Sequence, residues 1–173
     1  PDFTTWAGGM PVGQLMGDLK SHVTSVSRLL MQHGGDIDKI IGDKILAVFN
    51  SEVDRKVAVT AACRAASEIL NAEKLGNLTF PVAIGMNCGE VITGFLGVGE
   101  KRDFTIIGDA VNTAARIAGQ AEKLRFGRCL ISQNVYEILP GEFLAREYGE
   151  IELKGKTLPL KVFQLTGADR ASG

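Results

Sequence analysis

Near the start of the chain the apolar residues Val12, Leu15, Met16, Leu19, Val23, Val26 and Leu30 return every three or four positions. That period predicts an amphipathic helix from Val12 to His33, with Gly34-Gly35 as its stop. The pattern then changes to two apolar arms around Gly42-Asp43, with Lys39 inside the first arm, which predicts a two-residue hairpin with an acidic tip. Ser51-x-x-Asp54 has the form of a capping box opening a helix to about Leu70, with Val53, Val57, Ala61, Ala65 and Ile69 as its apolar stripe. Phe80 to Gly85 and Glu90 to Phe95 read as strands, and the turn-like Asn87-Cys88-Gly89 between them predicts a second hairpin. Gly97 to Asp103 is a polar stretch between two strands. Phe104 to Ile107 is a short strand entering a helix through Gly108-Asp109. Cys129 to Ser132 is a strand, Ser132 caps a brief helix to Leu139, and short strands run on through Val162-Phe163-Gln164-Leu165. This order predicts an α+β fold, with helices on a mainly antiparallel sheet.

Composition narrows the class. A chain of 173 residues, 45% apolar and 23% charged, suits one domain with a real core. The net charge of -1, with scattered Lys and Arg, leaves no footprint for nucleic acid. Cys63, Cys88 and Cys129 form neither a disulfide framework nor a zinc pattern and read as buried thiols in a reducing compartment. No apolar run is long enough to cross a membrane. His22 and His33 are eleven apart, fit no metal pattern and read as helix-surface residues.

The chemistry lies in three blocks. The first is Gly34-Gly35-Asp36-Ile37-Asp38-Lys39-Ile40-Ile41-Gly42-Asp43-Lys44-Ile45-Leu46-Ala47-Val48-Phe49, where Asp43 at a sharp bend is a candidate oxygen ligand for a hard cation; a carboxylate that merely satisfies its turn is the plain alternative. The second is Phe104-Thr105-Ile106-Ile107-Gly108-Asp109-Ala110-Val111-Asn112-Thr113-Ala114-Ala115-Arg116, in which Asn112 and Arg116 share a helical face by their i, i+4 spacing. The third is Gly149-Glu150-Ile151-Glu152-Leu153-Lys154-Gly155-Lys156. Together, in this order and over the length of the chain, they resemble the catalytic domain of class III nucleotidyl cyclases.

That resemblance implies one catalytic domain over 1–173 with a ferredoxin-like βαββαβ core, additional C-terminal strands and a first strand missing from the chain as given. It implies an adenylyl cyclase that converts ATP to 3′,5′-cyclic AMP and pyrophosphate. Two ions per site, Mg²⁺ or Mn²⁺, would be held by Asp43 and by a second aspartate expected just before Pro1; Asp2 is a weaker substitute because its offset from Phe3 does not fit. Asn112 would orient the ribose, Arg116 would face the α-phosphate, Lys154 would reach the terminal phosphates, and the backbone at Phe3 and Thr4 would cradle phosphate. Lys39 and Thr105 would read the base. Lysine only donates, which suits the acceptor N1 of adenine, and threonine can accept from the exocyclic amine. Guanylyl members usually carry an acid and a cysteine at these two positions.

Threonine at the second position resembles a subclass that includes bicarbonate-responsive cyclases, which leaves bicarbonate open as a regulator. A homodimer is implied too, with metal acids from one protomer and base, ribose and phosphate contacts from the other, and Gly97 to Asp103 as an arm toward the partner. The domain is expected in the cytoplasm, in a parent that carries a sensor or a membrane attachment. A non-catalytic cyclase-like module and a guanylyl cyclase stay open as rivals. Gly155-Lys156-Thr157 is no P-loop, because Glu150 stands where the motif needs glycine.

Overall fold

The structure, a computed structural model, describes residues 11–50, 54–98, 101–152 and 158–168. Helix α1 (Val12–Gln32) ends as its sequence predicts. Gly34, at φ 79°, sends its N–H to Met31 O while Gly35 N–H reaches Leu30 O, the paired bonds of a Schellman stop. Strands β1 (Asp36–Ile41) and β2 (Lys44–Val48) form the expected antiparallel hairpin. Gly42 takes φ 63° at its tip, and no described non-glycine residue has positive φ, so the turn has the glycine-first II′ form.

Helix α2 (Arg55–Lys74) runs past Leu70, and its cap is Asp54 itself, whose carboxylate accepts from Lys56 N–H at 2.8 Å. Ser51 and Val53 lie outside the described residues. The expected stripe is corrected as well: Ala65 and Ile69 are buried, but Val57 is 60% exposed, and Val59, Cys63 and Ala66 complete the buried face. A stripe spaced every four residues turns about 40° per step around a 3.6-residue helix, so its two ends cannot both face the core.

The middle of the chain pairs differently from the prediction. Strand β3 (Ile84–Met86) forms no hairpin with β4 (Ile92–Val98); it pairs in parallel with β6 (Cys129–Ser132). The partner of β4 is β5 (Lys101–Ile107), with Ile92 opposite Ile107 and Val98 opposite Lys101. Most of Gly97 to Asp103 is therefore strand. The Asn87-Cys88-Gly89 turn serves other contacts: Asn87 Nδ2 donates to Ala110 O, and Cys88 O accepts from Asn134 Nδ2.

Helix α3 (Asp109–Ala121) and the single turn α4 (Gln133–Tyr136), capped by Ser132 but ending before Leu139, precede β7 (Phe143–Ile151) and β8 (Leu160–Ala168). These last strands are nine residues each, longer than expected. The main sheet has the order β3-β6-β8-β7. Its two faces carry separate cores. Cys129, Ile131, Phe163 and Leu165 pack with Val59, Cys63 and Ala66 of α2, whereas Leu130 and Val162 pack with Ile117 and Ala121 of α3. Covered on both sides, β6 is buried at every position, which explains the apolar run Cys129-Leu130-Ile131. The α+β class is as expected.

His22 departs from its expected surface position. It is 7% exposed, its Nδ1 accepts the Phe80 N–H at 3.2 Å, and the Phe80 ring meets it edge-on. Burial lowers its pKa below the ordinary value of 6.5, against the opposing charges of Glu73 and Asp43. His33 is half-buried and pairs with Glu68.

Candidate active site

Lys39 and Thr105 meet. Lys39 lies in β1 opposite Leu46, Thr105 lies in β5 opposite Gly94, and Lys39 Nζ donates to Thr105 Oγ1 at 2.6 Å. This bond joins the two hairpins. The same ammonium forms an ion pair with the carboxylate of Asp38, a residue the sequence reading did not single out. A lysine ammonium has three N–H donors, so two such partners leave one for a ligand. The threonine hydroxyl, with one lone pair engaged by Lys39, keeps a second lone pair to accept.

Asp43 stands at the tip of the β1–β2 hairpin with its side chain exposed. No group of three or more His, Cys, Asp or Glu side chains suited to a metal occurs among the described residues. Asp43 therefore offers carboxylate oxygen without a complete protein cage.

Helix α3 presents Asn112 and Arg116 on its exposed side, one turn apart, while Thr113, Ile117 and Ala121 form its buried side. The helix is set tightly against the sheet. A Cβ on Gly85 would lie 2.2 Å from Ala118 N and 2.4 Å from Ala114 O, so the absent side chain of β3 lets the α3 backbone approach. The Asn87 bond to Ala110 O, at 3.1 Å, fixes the first turn of the same helix. The sequence held no clear sign of that role, because an Asn-x-Gly triplet reads first as a turn. Asp109 in the first turn adds an acid where the helix dipole favours one.

Lys154, Phe3 and Thr4 lie outside the described residues, as does Asp2. The thiols of Cys63 and Cys129 are buried and free; burial pushes the Cys63 pKa up to about 12 and that of Cys129 higher still, so neither is a nucleophile at neutral pH. Cys88 is half-buried rather than buried.

Comparison with known proteins places this geometry in a family. Residues 1–167 match the model of the adenylate and guanylate cyclase catalytic domain. An adenylate cyclase of Anabaena cylindrica is 29% identical over 174 residues, covering 94% of this chain and 34% of that protein. The receptor-type guanylate cyclase gcy-7 of Caenorhabditis elegans is 30% identical over 176 residues, covering 95% of this chain and 15% of its own length. The chain thus spans about a third or less of these relatives. The crystal structure of the adenylyl cyclase CyaB from P. aeruginosa superposes with a TM-score of 0.86 at 26% identity, over 99% of this chain and 91% of the other. The chain belongs to the adenylate and guanylate cyclase catalytic domain family.

Proposed function

We propose that this domain is an adenylyl cyclase, forming 3′,5′-cyclic AMP and pyrophosphate from ATP at the interface of a homodimer. The observation that carries the adenine reading is the Lys39–Thr105 contact. It leaves a fixed donor beside a free acceptor lone pair, the complement of adenine N1 and its exocyclic amine. Guanine offers an N1–H donor where Lys39 also donates, and such a mismatch leaves buried polar groups unpaired.

In the reaction the ribose 3′-oxygen forms a bond to the α-phosphorus. The bond from that phosphorus to the oxygen bridging toward the β-phosphate breaks, pyrophosphate leaves with that oxygen, and the hydroxyl proton passes to water or a nearby base. Arg116 places positive charge where the α-phosphate gains negative charge, and Asn112 holds the ribose so that attack is in line. By the family resemblance, Lys154 would reach the terminal phosphates and the backbone at Phe3 and Thr4 would cradle them.

Cyclases of this class generally use divalent metal ions, and one exposed carboxylate suits Mg²⁺ or Mn²⁺. Mg²⁺ in particular is commonly held by one or two carboxylates, with substrate phosphates and water completing its shell. Asp43 would hold such an ion, which when bound neutralises phosphate charge and makes the 3′-hydroxyl more acidic. The homodimer rests on exposed apolar side chains on both hairpins, namely Ile40, Ile41, Ile92, Phe95, Leu96 and Ile107. Surface of that kind marks an interface more often than a solvated face.

The guanylyl alternative is favoured by the guanylate cyclase among the relatives. Turnover of ATP and GTP by the protein, with the products identified by mass, separates the two. The adenylyl reading expects cyclic AMP and a kcat/KM for ATP well above that for GTP; the reverse order would overturn it.

A further inference from the structure

The side chain of Asp38 is 2% exposed, although it sits in a two-stranded hairpin beside a lysine. Among the described residues its Oδ2 has the Lys39 ammonium as its ion-pair partner and no other hydrogen-bond donor. Neighbouring strand residues normally point to opposite faces. The β1–β2 register explains the exception: Ile37 pairs with Ala47 and Lys39 with Leu46, so Asp38 is the extra residue of a bulge, a device that re-aims side chains. The bulge brings carboxylate and ammonium to the same side. A carboxylate this deeply buried is costly unless its counterion stays in place, and Lys39, at 32% exposure, would otherwise be free to swing into water.

We propose that Asp38 is a positioning residue for base selection: through the bulge it holds the Lys39 ammonium against Thr105, with the remaining N–H aimed at the purine. This inference rests on the reading of Lys39 and Thr105 as the base-selecting pair. Asp38 touches no substrate in this scheme; its effect passes through Lys39. Its contribution should appear as selectivity and KM rather than as chemistry at the α-phosphate.

The test compares the wild type, Asp38→Asn, Lys39→Met and the double variant in the full-length protein. Each is assayed for kcat/KM with ATP and GTP, for binding of 3′-deoxy-ATP and 3′-deoxy-GTP, which lack the attacking hydroxyl, and for Tm. Asp38→Asn keeps the shape and removes the charge. It should raise the KM for ATP about tenfold, with little change in kcat and no loss of GTP turnover. In the Lys39→Met background it should change the ATP/GTP ratio no further, and the double variant should melt above Lys39→Met because no buried charge is left unpaired. The double variant also supplies the lysine-free baseline if Lys39→Met folds poorly. If Asp38→Asn lowers Tm and both nucleotides equally, leaving the ratio intact, Asp38 is structural only and the proposal is wrong while the base reading stands. If Lys39→Met itself leaves the ratio and the analogue affinities unchanged, the base is read elsewhere and both fall together.

Discussion

Exchanging Lys39 for Glu and Thr105 for Cys reverses the polarity of the contact that joins the two hairpins. The pair should then favour guanine, lowering the ATP/GTP ratio of kcat/KM by on the order of 10²-fold or more, since sites built on base hydrogen bonds discriminate strongly. The structure adds a condition that the sequence does not show. A glutamate at 39 stands beside the buried Asp38 carboxylate, whose counterion it replaces. Leaving the buried Asp38 carboxylate without its counterion costs less than the roughly 3–5 kcal/mol of a fully buried pair, because Lys39 is half-exposed; the exchanged protein should still melt below the wild type, and adding Asp38→Asn should recover much of the loss. Thermal melts read beside the two kcat/KM values check both parts; an unchanged ratio would remove Lys39 and Thr105 from base selection. Lys39, Thr105, Asn112, Arg116 and Asp43 were candidates from the sequence because each stands in a recognisable block. Asp38 was not, because a bulge is a property of two strands in register and leaves no mark in the alternation of one.

The hairpin of β1 and β2, the stop of α1 and the strand β6 were legible from local signals: a Gly-Asp tip, a double glycine and a short apolar run. Pairing between distant strands was not. Phe80 to Phe95 looked like a hairpin because turn chemistry is local, whereas β3 finds its partner in β6 after α3 has crossed the sheet. That crossing depends on Gly85. Replacing Gly85 with Ala drives a methyl into the α3 backbone and should cost ~3 kcal/mol. The loss would lower Tm by roughly 10 °C. It should also reduce kcat, because Asn112 and Arg116 move with the helix. Circular-dichroism melts and initial rates check this; a normal Tm would mean that the helix shifts freely.

The joint between α1 and the segment before β3 has its own pH response. The folded state disfavours the charged form of His22 through burial, with Glu73 and Asp43 acting the other way. The unfolded chain therefore takes up a proton that the fold resists. Stability from this site is full above the unfolded value of about 6.5 and is lost as pH falls below it. The unfolding midpoint in urea should drop between pH 7.5 and pH 5, and His22→Gln should flatten that part of the slope. An equal slope in the variant would assign the effect to other groups.

At the scale of the whole molecule, no described helix is long and apolar enough to cross a membrane, and the chain covers about a third or less of the relatives named above. Family membership was readable from the order of three motifs, and the α+β class from the order of predicted elements. The assembly was not, since a single chain shows its exposed apolar hairpins but not what covers them. In the proposed homodimer that covering surface is a second copy, with Asp43 of one protomer serving the Asn112 and Arg116 of the other. Asp43→Ala and Arg116→Ala homodimers should each lose on the order of 10²-fold or more in kcat, because every site carries a lesion. In a mixed dimer both lesions fall into one site and the other site is intact. The most direct measurement is cyclic AMP formation by the two variants mixed in increasing proportion, with heterodimer content followed by native mass spectrometry. Activity should rise with the heterodimer fraction toward half the wild-type rate per dimer; a mixture that forms heterodimers yet stays as inactive as its components would overturn the shared site.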